Sequence, residues 1–425
     1  MRSAGRRRVR QVGRSRCSCI LQRATVAVLH GSIVASVGVG RHAPPSRVVA
    51  VAPPPITLPE HVDADRVVTA DGIIDNGWVE HRDGVVTGVG RNEGPVPGAY
   101  AWLFPGFVDI HCHGGGRASF DGGLDEARTA ARTHAAHGTT AMLASLVSAP
   151  VDVLVKQVRG LADAIRGGDL GPVRGIHLEG PFLSPTHRGA HDPEALVAPT
   201  EESVAALLEA GGGLVRMVTV APELHGGMAA ISQLVEAGVV AAVGHTDADY
   251  QLATEAFARG ATILTHASNA MLPIHHRAPG PIVAALDAPG VHLEVILDGI
   301  HLHDAWARRL LADAGPYAVL VTDAMAAAAA SDGTYSLGGL MVEVAEGTAR
   351  LATTGAIAGS TLTMDTAVRR ALGVLGVDPV AVARAASTAP AAAVGLDGGV
   401  IAVDAPARLV ALDREYAVVG VQPAA

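Results

Sequence analysis

Eight short apolar runs, separated by stretches with helical spacing of their apolar residues, constrain this chain more than any other feature. The runs fall at 107–113, 139–145, 173–179, 215–221, 239–245, 261–266, 292–298 and 317–323. Helical periodicity fits 122–136, 151–166, 201–210, 226–237, 249–259 and 303–313. Strands joined through helices run parallel, because the crossover brings the chain back to the same end of the sheet. Eight such units are the number that closes a (β/α)8 barrel of about 250 residues. The predicted fold class is therefore α/β, a (β/α)8 TIM-like barrel over 105–389. In such barrels function gathers at the C-terminal ends of the strands.

Those ends carry an unusual set of side chains. Glu179 closes Val173-Arg174-Gly175-Ile176-His177-Leu178, just before Gly180-Pro181 breaks the chain. Glu is a poor strand residue, and a carboxylate aimed into a barrel mouth is costly without compensating partners. The candidates to compensate it also end strands: His111 and His113 after Phe107-Val108-Asp109-Ile110, then His245, His266 and Asp323. Together they read as a metal site. His111 and His113 are two apart in an extended run, so they face one side while Cys112 faces the other. A lone His-x-His pair is weak evidence, and it gains weight from the other strand-end ligands. Cys112 reads as a buried structural thiol. Asp323 in Thr322-Asp323-Ala324 could simply cap a turn, but its place after the eighth strand makes it a general-base candidate acting on a metal-activated water.

Outside the barrel, 66–72 and 78–90 look like short strands with Asp-Gly turns, and 400–403 and 407–413 are the same kind of text. Pairing the two ends predicts a small β-sandwich from 60–104 plus 390–425. A hairpin at 333–350 and helices at 362–375 and 379–387 lead back to it. Residues 1–59 hold ten arginines and no acid, which leaves 22 basic against 41 acidic residues in the remainder. That leader's apolar part, 25–40, is broken by His30, Gly31 and Ser32, so it neither spans a membrane nor forms a clean targeting signal. It reads as a disordered extension from a start codon placed too early, followed by a Pro-rich linker at 43–59. The net charge of −9 argues against a nucleic-acid surface. Cys17, Cys19 and Cys112 make no disulfide framework, and a reducing cytoplasm fits them.

Pro105-Gly106-Phe107-Val108-Asp109-Ile110-His111-Cys112-His113-Gly114 resembles the opening motif of the amidohydrolase superfamily. Further motifs narrow the likeness: His177-Leu178-Glu179-Gly180-Pro181, Gly244-His245-Thr246, Thr265-His266 with Asn269-Ala270-Met271, Asp298-Gly299-Ile300-His301 and Val321-Thr322-Asp323-Ala324. So do the stretches at 331–339 and 358–365. As an ordered set over roughly 64–415 they resemble the N-acetylglucosamine-6-phosphate deacetylase family.

That resemblance implies roles. Glu179, His245 and His266 bind the principal divalent metal, zinc first, with iron, manganese or cobalt as alternatives. His111 and His113 imply a second metal with Glu179 as bridge, so one or two metals per subunit. Asp323 is general base and then acid, and His191 polarises the acetamide carbonyl. Asn269, the Ala270 backbone and His301 lie near the sugar phosphate, and Arg277 reaches the phosphate of a neighbouring subunit in a homodimer. The implied activity is release of acetate from a phosphosugar in amino-sugar catabolism and cell-wall recycling. Two departures stand out: Ser268 replaces the family's usual aromatic before Asn269, and Ala278 follows Arg277 instead of Glu. The single lysine, Lys156, lies opposite the apolar stripe Leu154, Val158, Leu161 and Ile165 of its helix, so it cannot serve as a carboxylated bridging ligand at the mouth. Glu179 is left with that work. Two rivals remain: N-acetylgalactosamine 6-phosphate as substrate, and a catalytically dead barrel, which predicts lost ligands where none is lost.

Overall fold

The computed structural model describes residues 56–94, 96 and 98–423. The expected Arg-rich extension lies outside these residues as far as residue 55. All eight expected barrel strands are present: Phe107–Asp109, Thr139–Val147, Val173–Glu179, Val215–Val220, Val240–Val243, Ile263–Leu264, His292–Ile296 and Ala318–Val321. They lie side by side in chain order and pair in parallel. Both faces of these strands are covered, which is why Thr139–Val147 is buried at every position and reads as a continuous apolar run.

The first strand stops at Asp109, so His111, Cys112 and His113 belong to the extended segment beyond it and not to the strand proper. The reason lies in how the barrel closes. The first and eighth strands meet past their ends, where Cys112 bridges Ala324. There the Asp323 N–H donates to the His111 carbonyl at 2.8 Å, and the His113 N–H donates to the Ala324 carbonyl at 2.8 Å. The extended geometry keeps the alternation, so Cys112 still points away from the two histidines. Its sulfur packs 3.2 Å from His134 Nε2.

The helices follow the expected stripes. Val151–Arg166 buries Leu154, Val158 and Leu161, and Lys156 stands exposed outside, paired with Asp152 at 3.3 Å. Each such buried Leu contributes about 1.5–3 kcal/mol. Glu201–Gly211 opens on a capping box between Thr200 and Ser203 and closes on a left-handed Gly212. Two helices add to those expected: Gly280–Asp287, short, apolar and opening on Gly280-Pro281, and the five-residue Ala389–Ala393. The helix expected at 362–375 ends in a π-helical turn at Arg370–Val374, and the one expected at 379–387 passes through a π-helical turn at Arg384–Thr388.

Both chain ends build one seven-stranded sheet, in the order Ile56–Thr57, Val418–Gln422, Leu409–Leu412, Tyr100–Pro105, His61–Thr69, Gly72–Arg82, Val85–Arg91. Alternation gives it two buried faces. Trp102, Phe104, Val410 and Leu412 join the barrel core, whereas Leu103, Leu409 and Ala411 pack with Val62, Val67, Val79 and Ile401 in a separate small core. Three details differ from expectation. Ile56–Thr57, expected within the unstructured linker, pairs in parallel with Val418–Gln422. Residues 400–403 are not a strand: Ile401 contributes only a buried side chain, and Val418–Gln422 supplies the pairing instead. The hairpin at 333–350 is a three-stranded antiparallel sheet, Gly333–Leu337, Leu340–Ala345 and Thr348–Leu351, whose apolar face covers Val147 and Met325 at the barrel mouth.

His134, on the inner face of Leu124–Ala136, is fully buried, and burial lowers its pKa to about 4. The unfolded chain takes up this proton near pH 6.5, so stability is lost as pH falls from there towards 4. Wild-type protein should therefore lose more stability between pH 7 and 5 than His134→Gln, by on the order of 2 kcal/mol. Thermal melts of both proteins at the two pH values check this; equal losses would refute it.

Candidate metal centre

Glu179 stands at the centre of the barrel mouth. Its Oε1 lies 3.0 Å from His245 Nε2, 3.0 Å from His266 Nε2 and 3.4 Å from His111 Nε2. Its Oε2 lies 3.1 Å from His113 Nε2 and 3.3 Å from His191 Nε2. Asp323 Oδ1 is 3.3 Å from His113 Nε2 and 3.5 Å from His111 Nε2. All seven side chains are buried. Six of them form two donor sets that share Glu179, His245 and His266 in one and His111, His113 and Asp323 in the other.

Local backbone geometry turns these groups inward. His245, His266 and Asp323 each leave their strand with a positive φ, of 46°, 25° and 48°. Such conformations cost about 1–3 kcal/mol each in a non-glycine residue, and they persist only where surroundings enforce them. Asp323 is held on both sides: its N–H donates to His111, and its carbonyl accepts from the Ser360 N–H at 2.7 Å.

Hydrogen bonds at the far ring nitrogens sort the histidines by task. His245 Nδ1 meets the His187 carbonyl at 2.8 Å, and a carbonyl can only accept, so Nδ1 carries the proton and Nε2 is bare. His111 Nδ1 meets Glu294 Oε2 at 3.0 Å, which keeps one proton on Nδ1 and leaves Nε2 as the nitrogen to ligate a cation once the ring is neutral. His191 is the opposite case: the Ser148 N–H donates to its Nδ1 at 3.2 Å, and the Ser148 hydroxyl, 2.9 Å from the same nitrogen, can donate to it as well, an arrangement that puts the ring proton on Nε2, facing the site. His177, near them in sequence and space, has both nitrogens taken, by Ser145 and Thr219 at 3.0 Å each.

This donor set fits a divalent cation. The Nε2 atoms of His245 and His266 approach to 2.9 Å beside a carboxylate oxygen, which is repulsive for bare nitrogens unless a positive charge lies between them. Without a metal, protons supply that charge. Burial opposes a charged His113, yet hydrogen bonds to Asp323 and Glu179 hold its pKa up at about 9. Burial would raise Asp323, but the His111 charge and the His113 hydrogen bond draw it down to about 2. Burial likewise opposes ionised Glu179, and the surrounding imidazoles, His111 foremost, keep it well below the usual carboxylate range.

The remaining expected residues lie around this centre to differing degrees. Asn269 and Ala270 sit in the loop just past His266; the Asn269 amide donates to the His266 carbonyl at 3.1 Å, and the Ala270 carbonyl accepts from the Thr246 N–H at 3.2 Å. The Ser268 departure is met from another element: Trp306 Nε1 donates to Ser268 Oγ at 2.8 Å, so an aromatic ring still backs this loop. His301 is fixed through Nδ1 by Asp298 at 2.7 Å. Arg277 is not brought to the cluster of its own chain. It stands exposed in the His275–Ala278 turn, bonded to His276 at 2.6 Å.

Sequence reasoning missed Ser148, which orients His191, and Glu294, which orients His111. Glu294 carried the same signal as Glu179, an acid within an apolar strand text, but it sits inside the strand and not at its end.

A catalytic barrel with a metal-ready mouth defines a class of hydrolase, and comparison with known proteins narrows it. The Amidohydrolase family matches residues 102–424. The chain is 35% identical to the N-acetylgalactosamine-6-phosphate deacetylase of Escherichia coli O157:H7, over 82% of this chain and 94% of that one. It is 39% identical to the N-acetylglucosamine-6-phosphate deacetylase of Danio rerio, over 73% and 80%. A Mycobacterium smegmatis N-acetyl-D-glucosamine-6-phosphate deacetylase, solved as a mutant in complex with N-acetyl-D-glucosamine-6-phosphate, superposes with a TM-score of 0.82 at 44% identity, covering 86% of this chain and 97% of that one. The chain belongs to the amidohydrolase family and, within it, to the N-acetylglucosamine-6-phosphate deacetylases.

Glu179→Ala and His245→Ala should each strip the principal metal, because both donor sets or the tighter one lose a ligand. His111→Ala should reduce only the second equivalent. Elemental analysis of the purified variants checks this, and complete metal loss in His111→Ala would reverse the ranking of the two sets.

Proposed function

We propose that the enzyme hydrolyses the acetamide of N-acetyl-D-glucosamine 6-phosphate, giving D-glucosamine 6-phosphate and acetate. The observation that carries this reading is the meeting of Asp323, the His191 Nε2 and two histidines, His111 and His245, whose outer hydrogen bonds leave Nε2 as the ligating nitrogen, all around Glu179. Acyl-group hydrolysis needs a base, a carbonyl-polarising donor and an electrophile in one dry pocket, and these are their protein components.

Glu179, His245 and His266 would hold the principal cation, with His111, His113 and Asp323 available to a second. Bound there, a divalent metal polarises a carbonyl and lowers the pKa of water to about 7. Zinc suits the donors first, and iron, manganese or cobalt are the alternatives. Asp323, ionised at neutral pH, takes the proton of the attacking water. His191 donates from Nε2 to the carbonyl oxygen as negative charge develops on it. Asp323 then returns its proton to the sugar nitrogen as the C–N bond breaks.

The phosphate end would be held by Asn269, the Ala270 backbone and His301, and by Arg277 of a second copy in a homodimer. The exposure of Arg277 supports that assignment: the guanidinium is free of its own chain's site and can reach outward. We place the enzyme in the cytoplasm on its sparse cysteines; among the described residues no helix is long and apolar enough to cross a membrane. The likeness to the Escherichia coli enzyme keeps N-acetylgalactosamine 6-phosphate as a second candidate substrate. Acetate release measured as kcat/KM on both sugars decides between them, and release from neither would overturn the reading.

Asp323→Asn should keep near wild-type content of the principal metal while kcat falls at least about 100-fold, the range a positioned base supplies. A variant retaining most of its kcat would remove Asp323 from the mechanism. Arg277→Ala should raise KM roughly ten- to a hundredfold with kcat little changed, since a charged hydrogen bond to a phosphate remote from the acetamide acts alike in ground and transition states. Mixed dimers of Arg277→Ala and Asp323→Asn subunits test the trans arrangement. One site then pairs a wild-type base with a partner's arginine, so activity with near-normal KM should return; no recovery would return Arg277 to its own subunit.

A further inference from the structure

Glu294 lies in the seventh barrel strand, His292–Ile296, with no exposed surface. Its Oε2 accepts two hydrogen bonds at 3.0 Å, one from His111 Nδ1 and one from the main-chain N–H of His266. Its Oε1 is buried with no partner. No arginine or lysine approaches it among the described residues, and His111 is its one ion-pair partner. A carboxylate buried this way is expensive, and ordinary strand packing would be served better by Val or Leu. The single oxygen that is satisfied touches one residue from each of the two donor sets.

We propose that Glu294 is the positioning residue that equips this barrel for a second cation. It acts through His111. Accepting the Nδ1 proton fixes the tautomer with Nε2 bare, locks the ring against rotation, and raises the basicity of the nitrogen that faces Glu179 and Asp323. A carboxylate behind a ligating imidazole does this in metal sites generally, and its loss lowers metal affinity by about 10–100-fold. The charge balance runs the same way. Metal-free, the charge of His111 itself balances Glu294 at 3.0 Å; a second cation between His111, His113, Glu179 and Asp323 would take over that balance across the same imidazole ring. The bond to the His266 N–H serves the first donor set differently: it supports the strained backbone of a ligand whose own Nε2 it does not touch. Glu294 should therefore govern the second equivalent and affect the first only weakly. This inference rests on the reading of His111, His113, Glu179 and Asp323 as a metal set.

The test is metal binding, not turnover. Metal-free wild type, Glu294→Gln, His111→Ala and the double variant are titrated with cobalt(II) in chelator-buffered solution, with the visible spectrum and elemental analysis giving each equivalent's affinity. Wild type should take up two equivalents. Glu294→Gln, nearly isosteric, should weaken the second by about 10–100-fold and the first by less than about threefold. In the His111→Ala background the same substitution should change nothing further. The proposal is overturned if Glu294→Gln leaves the second affinity unchanged, weakens both equivalents alike, or still weakens binding once His111 is gone. It is also overturned if wild type takes up a single equivalent. Failure of the underlying reading looks different: His111→Ala would then retain both equivalents at wild-type affinity. Circular dichroism of the metal-free proteins establishes folding. Should the Gln variant not fold, Glu294→Asp, one methylene too short to reach His111 Nδ1, carries the same expectations.

Discussion

One carboxylate organises this molecule. Glu179 is buried at the mouth of a barrel whose wall is almost wholly apolar, within 3.4 Å of imidazole nitrogens from five histidines. An isolated carboxylate could not be kept ionised there, since burial alone favours the neutral form. The histidines make ionisation tenable, and the carboxylate in turn lets so many imidazoles approach one another. Neither half is stable without the other, which is why the cluster draws on strand ends from around the whole barrel. Cation binding would replace protons already required by that balance and would not add a foreign charge.

The barrel pays for this precision at three points, the positive-φ turns at His245, His266 and Asp323. The turn at Asp323 also lies on the seam where the barrel closes. The first and eighth strands part before their ends would meet in a regular ladder, and the main chain of His111 and Asp323 completes the seam instead. The groups that close the barrel are thus the groups that carry the candidate ligands and the candidate base. Displacing Asp323 would loosen the seam as well as the site, so an isosteric change there is more informative than a truncation.

Much of this was legible in the sequence, for a definable reason. Strand ends in a parallel barrel are marked by the abrupt change from apolar run to polar residue, so Glu179, His245, His266 and Asp323 announced themselves by position, and the His111–His113 pair by spacing. What stayed hidden depends on contacts between distant segments. Glu294 sits within its strand, and nothing local says that its side chain meets His111 from the other end of the barrel. Ser148 is an ordinary loop residue until His191 folds back on it. The departure at Ser268 looked like a loss of packing because the replacement ring, Trp306, comes from a helix that follows the next strand. Short elements failed for another reason: Val418–Gln422 and Thr348–Leu351 are strands through their partners more than through their own text, and the π-helical turns leave no compositional trace.

The hydrogen bonds at the outer ring nitrogens carry the functional argument further than the distances within the cluster do. By distance alone, His111, His191 and His245 are equivalent, each presenting Nε2 to Glu179 within 3.4 Å. Their outer partners differ in kind. A carbonyl behind His245 and a carboxylate behind His111 can only accept, which keeps the neutral ring's single proton on the outer nitrogen and leaves the inner one to ligate. A main-chain N–H behind His191 can only donate, which obliges the inner nitrogen to keep one. A bare nitrogen can ligate a cation and cannot stabilise an oxyanion by hydrogen bonding; a protonated one can do the second and not the first. Through Ser148, His187 and Glu294, none of which needs to touch a substrate, the fold sorts these rings into candidate ligands and a candidate donor. Exchanging the outer partner of His191 for an acceptor would convert a carbonyl-polarising donor into another ligand, with every inner distance unchanged.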